Sequence, residues 1–248
     1  ALFESVRGHG GGIDDAGTNV VARMAAGTSF ANPSLKDNPT GNGWDWTASS
    51  INGKQILAYK SAVARLHLWD GSTVRRSGLA AMVVPTVADN ATGGAYPPIL
   101  RYYRTRATVQ VATVTVRRSE PTSGVSFTPA GTKTAATITQ GTPPNEGETH
   151  WEVEASTDNV SFYRIATVVI GTTTYDDSAA TTSYASNPLS ALTGVYTLFP
   201  SCKFVAADQN RGLGFADWTS TNTQSRLYIS AVIGSLDVGD EERLDTSA

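Results

Sequence analysis

Residues 149–178 read THWEVEASTDNVSFYRIATVVIGTTTYDDS, and this stretch decides the class of fold. Trp151, Val153 and Ala155 fall on one face of an extended chain, with Glu152, Glu154 and Ser156 on the other. A period of two over this length predicts a half-buried β-strand, because successive side chains of a strand point to opposite faces. Asp158-Asn159 supplies turn chemistry. SFYRIATVVIG then reads as a second strand, rich in β-branched and aromatic residues that fit a pleated surface.

Most of the chain has the same flavour. At 248 residues it can bury a full core, and one or two domains are the natural expectation. Hydrophobic residues make up 40% and charged residues 17%; Thr, Ser, Gly and Val are abundant, and long Leu/Glu/Lys-rich periodic runs are absent. That balance points to all-β structure. A formal net charge of -3 gives no electrostatic case for nucleic acid or an acidic membrane. Cys202 stands alone, which excludes an intrachain disulfide and a cysteine metal cluster; on the apolar side of a strand it reads as inert core. No apolar run approaches the roughly 18 residues of a membrane span. The first residues, ALFESVRGHGGG, have neither a signal-peptide nor a transit-peptide pattern and no initiator Met, as expected of a processed chain or a part of a longer one.

Residues 1–50 are the least regular and read as an N-terminal arm. GHGGGIDDAG and NPSLKDNPTGNG are loop by composition, while VVARMAA fits a turn or two of helix or a short strand. In WDWTASS, Trp44 and Trp46 share a face if extended, which suits either a core edge or a platform for sugar or peptide. In 51–80, INGKQILAYK and ARLHLWDGSTVRRSG read as strands with tight turns at Asn52-Gly53 and Asp70-Gly71. Four such strands in sequence make one propeller blade; two are legible here.

Residues 81–97 have linker composition. ILRYYRTRATVQV, TVTVRRSEP, VSFTPAG, AATITQG, THWEVEAST, SFYRIATVVIG and TTTYDD then give seven candidate strands over 98–178, with turn signals every 8–12 residues. That spacing is what an Ig-like sandwich requires, here without a cysteine pair and with Trp151 as its core aromatic. Residues 179–200 read as linker, and CKFVAADQNRGLGFADW and SRLYISAVIG as two further strands before a polar, acidic tail. The organisation is nested: a flanking β region of 51–97 and 179–248 encloses the sandwich of 98–178.

THWEVEASTDNVSFYRIATV with GTTTYDDS, and the preceding RYYRTRATV…RRSEPTSGVSFTPAG, resemble the fibronectin type III-like modules of bacteriophage structural proteins. As in those modules, the strand pair ending in S-E-P comes before the H-W-E-V-E strand, as if circularly permuted. KFVAADQNRGLGF…SRLYISAVIGSLDVGDEE and RLHLWDGSTVRRSGL are similar to propeller strands around such inserts. Together they resemble the β-propeller tail proteins of short-tailed phages, the nozzle or tail-tube component below the portal and adaptor. The resemblance covers most of the chain after residue 51. A closed six-bladed propeller needs several hundred residues, so the chain reads as a partial propeller, a fragment of a longer chain or a shorter relative.

Catalytic patterns are missing from the sequence. His9, His67 and His150 show no H-x-x-x-H or H-E-x-x-H spacing, and GHGGG has no G-x-S-x-G to accompany it. Asp14-Asp15, Asp176-Asp177 and Asp240-Glu241-Glu242 are adjacent carboxylates, which on a strand point to opposite faces and so do not form an acid pair across a cleft; they read as solvated turn residues, or less readily as a calcium turn. Arg75-Arg76, Arg117-Arg118 and Arg101/Arg104/Arg106 are the basic clusters. They read as guards of strand edges or interface ion pairs rather than as phosphate contacts.

The expectation is a non-enzymatic structural protein of a phage virion, in the tail or neck, with no catalytic, cofactor-binding or metal-binding residues and no cofactor. Its expected partners are other copies of itself and neighbouring portal, adaptor or tail proteins, with no specific nucleic-acid binding and no membrane span. The module of 98–178 would project as a decoration or docking surface. The first rival is a surface binding module that grips a host glycan or protein through Trp44, Trp46 or Tyr102/Tyr103. The second is an accessory domain of a polysaccharide enzyme.

Overall fold

A computed structural model of the chain describes residues 23–24, 30–31, 46–51, 54–59, 66–69, 74–90, 98–130, 135–217, 225–232 and 244–247. The chain divides into two compact units, one of 1–77, 198–235 and 241–248, the other of 78–197 and 236–240. The architecture is β throughout, with antiparallel ladders between all named strands and one short 3-10 helix among the described residues.

The first unit opens with β1 (Arg23–Met24) against β2 (Phe30–Ala31). VVARMAA, open between helix and strand in the sequence, is thus strand at its described residues. β3 (Trp46–Ile51), β4 (Lys54–Tyr59), β5 (His67–Trp69) and β6 (Val74–Arg76) follow as a four-stranded meander in chain order. The pairing Ile51↔Lys54 closes β3–β4 with the expected two-residue connection, whereas Trp69↔Val74 leaves four residues between β5 and β6, so the two-residue turn expected at Asp70-Gly71 is corrected to a longer connection; Asn52-Gly53 and Asp70-Gly71 themselves lie outside the described residues.

The second unit places two sheets on one core. β7 (Thr86–Asn90), β11 (Ala135–Thr139) and β14 (Thr174–Asp177) form one sheet, in the order β14-β11-β7. The other is built on β8 (Arg101–Val111), which pairs with β12 (His150–Ser156) on one side and with β9 (Val114–Arg118) and β10 (Val125–Phe127) on the other; β13 (Tyr163–Val169) extends it beyond β12. Tyr103 and Ala107 of β8 and Trp151, Val153 and Ala155 of β12 meet Ala136 and Ile138 of β11 and Met82 in one cluster. Trp151 is fully buried, and its indole N–H donates to the Thr172 carbonyl at 2.9 Å, so the polar atom of the largest core side chain is satisfied.

All seven strands read from 98–178 are present, but the unit is wider than that span. Residues 81–97, linker by composition, contain β7, which pairs with β11 along its whole length. Residues 179–197 also belong here: a 3-10 helix over Thr181–Ser186 carries Tyr184 into the core, and 188–190 run along the start of β13 through Arg164 N–H to Pro188 O and Ser190 N–H to Phe162 O, both 2.9 Å. Neither segment shows a period-two apolar pattern, because each contributes one or two anchors and otherwise follows the surface.

The chain then returns to the first unit. β15 (Cys202–Asp208), β16 (Arg211–Asp217), β17 (Leu227–Val232) and β18 (Leu244–Ser247) make a second four-stranded meander. The sequence suggests two strands here; the turn that splits the first of them is Gln209-Asn210, both at positive φ (45° and 61°), the backbone of a two-residue hairpin turn. The two meanders share one core of Ile51, Ile56, Ala58, Leu66, Leu68, Phe199, Cys202 and Tyr228. The Thr47 hydroxyl ties them further, donating to Lys203 O and accepting from Val205 N–H, both at 3.2 Å. No helix among the described residues is long and apolar enough to cross a membrane.

Candidate functional site

The densest chemistry lies on the face of the β8–β12–β13 sheet that turns away from the core. Alternation along β8 sends Arg101, Tyr103 and Thr105 inward and Arg104 and Arg106 outward. On β12 it sends Glu152 and Glu154 to the same outward face, where the ladder sets Glu154 opposite Arg104 and Glu152 opposite Arg106. The Arg106 guanidinium donates to Glu154 through Nε at 2.7 Å, and Arg104 Nε donates to the other oxygen of the same carboxylate. Glu152 accepts from Arg118 of β9 at 3.0 and 3.2 Å and from Arg164 of β13 at 3.0 Å. Four guanidinium groups from three strands therefore converge on two carboxylates.

This layer is covered. β12 is buried from Trp151 to Ser156 on both faces, so the expectation of a half-buried strand is corrected: its polar face is closed over by arginines and by the segment 188–197. Arg106 reaches that segment through the carbonyls of Ala191 and Leu192 (3.2 Å to the latter) and also donates to Ser119 O at 3.1 Å. The Tyr196 ring lies 5.4 Å from the Arg106 and 5.8 Å from the Arg118 guanidinium carbon, and Phe162 lies 3.9 Å from that of Arg104. Glu120 accepts the backbone N–H groups of Gly194 (2.9 Å) and Tyr196. Burial works against the Arg118 charge, but the hydrogen bonds and charge of Glu152 outweigh it and raise its pKa.

A second polar knot sits on the core side. Asp177 of β14 accepts from the Tyr103 hydroxyl at 2.7 Å and from that of Tyr184, with Arg101 Nη1 3.6 Å away. Burial, then the charge of Asp177, pushes the Tyr103 phenol well above its usual range; burial and the neighbouring Tyr103 and Asp177 do the same to Tyr184. Both tyrosines are therefore neutral donors that hold one carboxylate. Asp176 next to it is exposed and accepts from Thr137 Oγ1 at 2.6 Å. The doublet does split between two faces, but Asp177 is a buried tie rather than a solvated turn residue.

The remaining residues singled out by sequence are dispersed. Tyr103 is core and Tyr102 half-buried, so they form no exposed aromatic pair. His67 is buried in β5, and His150 Nδ1 shares a 2.8 Å hydrogen bond with Thr149 Oγ1. Cys202 is buried. Arg101, Arg104 and Arg106 lie on a central strand, not an edge, and bond within the unit; Arg117 donates to the backbone carbonyls of Glu146 and Gly78. Arg75-Arg76 occupy β6 at the end of its sheet. His9, Trp44, the Trp46 side chain, Asp14-Asp15 and Asp240-Glu241-Glu242 lie outside the described residues.

The arrangement locks strands and a covering segment together. The oxygens of Glu152 and Glu154 are taken by guanidinium groups and lie beneath covering chain. Among the described residues no group of three or more His, Cys, Asp or Glu side chains is placed to hold a metal ion. The charged layer had a signal in the sequence: R-x-R at 104–106 and E-x-E at 152–154 are complementary period-two patterns, which pair once the two strands become neighbours. No family model matches the chain, and no curated protein or solved structure matches it either.

Proposed function

We propose that the protein is a non-enzymatic structural component of a bacteriophage virion, in the tail or neck, of the β-propeller nozzle or tail-tube type. One observation carries this reading: two four-stranded antiparallel meanders share a core, and the chain leaves the first at residue 77 and re-enters the second at 198. Each meander has the strand number and up-and-down order of a propeller blade. The unit between them, with a three-stranded sheet facing a larger one over a buried Trp151, suits a permuted fibronectin type III-like module. Its buried charges are spent on holding strands together, which fits a mechanical part better than a catalyst. The partners on this reading are further copies of the chain and neighbouring portal, adaptor or tail proteins. The rival reading, capture of a host glycan on exposed aromatics, loses Tyr103 to the core.

Imaging of intact particles at a resolution that traces this chain tests the proposal. The expected result is a symmetric ring at the tail or neck, with the two meanders at subunit contacts. Absence of the chain from purified particles sinks it.

A further inference from the structure

The long span of the second unit, 78–197, is gripped at both of its ends by one short segment. That segment, 117–122, continues β9 alongside β8. Ser119 N–H bonds Ala107 O at 3.0 Å and Thr122 N–H bonds Thr105 O at 2.9 Å, while the two hydroxyls accept from Ala107 and Thr105 N–H, both at 3.0 Å. On the incoming side the Arg117 guanidinium donates to the carbonyls of Gly78 and Glu146 (3.2 Å to the latter), and the Glu146 carboxylate accepts from Ala80 N–H at 2.8 Å. On the outgoing side Glu120 accepts from the N–H groups of Gly194 (2.9 Å) and Tyr196. Arg117 and Glu120 are only about 10 Å apart along an extended chain. We propose that residues 117–120 are a clasp that closes the second unit at its root and insulates it from opening of the first.

The placement of the anchors makes such a clasp necessary. Ser77 N–H bonds Leu66 O of the first unit at 2.7 Å, and the carbonyl of the next residue, Gly78, is already held by Arg117 of the second. At the other end Tyr196 N–H is held by Glu120, while Phe199 lies in the core of the two meanders. Connections this short have no slack to absorb an opening of the first unit, so the pull arrives directly at the root of the second. There it meets side chains whose own backbone is laddered to β8, within the second unit. The grips are charge-assisted hydrogen bonds to main-chain groups, the stronger class of such bonds. Opening of one unit therefore stops at 78 and 196 instead of fraying the other from its ends. A unit closed in this way stays folded while its host opens or is remodelled by a partner. The clasp is independent of where the chain resides and of the virion reading.

Hydrogen exchange of the full chain, read residue by residue, tests the clasp. Gly214→Ala and Leu68→Ala each weaken the first unit from inside its core, one by overpacking against Cys202 and the other by a cavity. With the clasp intact, either substitution is expected to speed exchange in β4 and β16 and to leave Ala80, Gly194 and Tyr196 at their wild-type rates. Glu120→Ala opens the clasp on its outgoing side. In that background Gly214→Ala or Leu68→Ala is expected to speed Gly194 and Tyr196 further, by the factor it imposes on β16. Two core substitutions keep the test open should one of them leave the first unit unfolded. Acceleration of Ala80, Gly194 and Tyr196 by a core substitution while Glu120 is in place overturns the inference. So does a Glu120→Ala chain in which weakening the first unit adds nothing at Gly194 and Tyr196, since Glu120 then only bonds two amides and insulates nothing.

Discussion

Glu154 is fully buried beside Arg104 and Arg106, and the cost of stripping water from these charges is offset only while all three remain together. Glu154→Ala leaves two guanidinium groups under covering chain without their carboxylate. The expected loss is about 3–5 kcal/mol, read by urea unfolding, and larger than for Glu154→Gln, which keeps an acceptor. Asp158 is the opposite case, a fully exposed carboxylate with strong local partners. The backbone N–H groups of Ser161 (2.7 Å) and Val160 (2.8 Å) and the Ser156 hydroxyl (2.8 Å) hold its carboxyl down at about 2. A carboxyl depressed in the folded state stabilises above its unfolded value, near 4, and that contribution is lost as pH falls through the folded value. Wild-type melting temperature is therefore expected to drop between about pH 4 and pH 2 more steeply than that of Asp158→Asn. Parallel melting curves across that window would remove Asp158 from the acid response.

At the scale of elements, the segment 188–197 is secured by polar ties more than by apolar burial; Leu189 and Leu192 are exposed, and Glu120 holds two of its N–H groups. Glu120→Ala is expected to speed hydrogen exchange at Gly194 and Tyr196 by about tenfold, the worth of roughly one charged hydrogen bond, and to leave the β12 amides unchanged. Equal acceleration along β12 would mean that the carboxylate supports the whole sheet. This segment also marks the limit of what local pattern reveals. Trp151, Val153 and Ala155 were legible as a core face because the strand itself encodes the alternation. The burial of Glu152 and Glu154 was not, because their partners come from β8, β9 and β13 and their cover from a stretch with linker composition. Likewise β7 hides in a Pro- and Gly-rich run, since an edge strand with exposed positions needs no continuous apolar pattern. Asn52-Gly53 pointed correctly to the two-residue connection of β3–β4, and Asp70-Gly71 marked the place of β5–β6 but not its length, since four residues separate Trp69 from Val74; Gln209-Asn210 makes a two-residue turn without a glycine.

At the scale of the whole molecule, the two cores have no residue in common: one draws only on residues between 79 and 184, the other on 51–68 and 199–228. Two separate hydrophobic clusters, each closed by its own sheets, make two cooperative units, so unfolding is expected in two steps rather than one. Substitutions assign the steps. Glu154→Ala weakens the unit of 78–197. Gly214→Ala acts on the other: a Cβ there meets Cys202 Sγ at 2.7 Å and the Phe199 ring at 3.3 Å, inside the core that joins the two meanders. Overpacking of this kind costs about 1–3 kcal/mol. In calorimetry or denaturant titration, Glu154→Ala is expected to lower one transition and Gly214→Ala the other, each leaving its counterpart in place. A single transition that both substitutions shift equally would mean that the units stabilise each other as one body. The nested order of the chain would then be a feature of its sequence and not of its energetics.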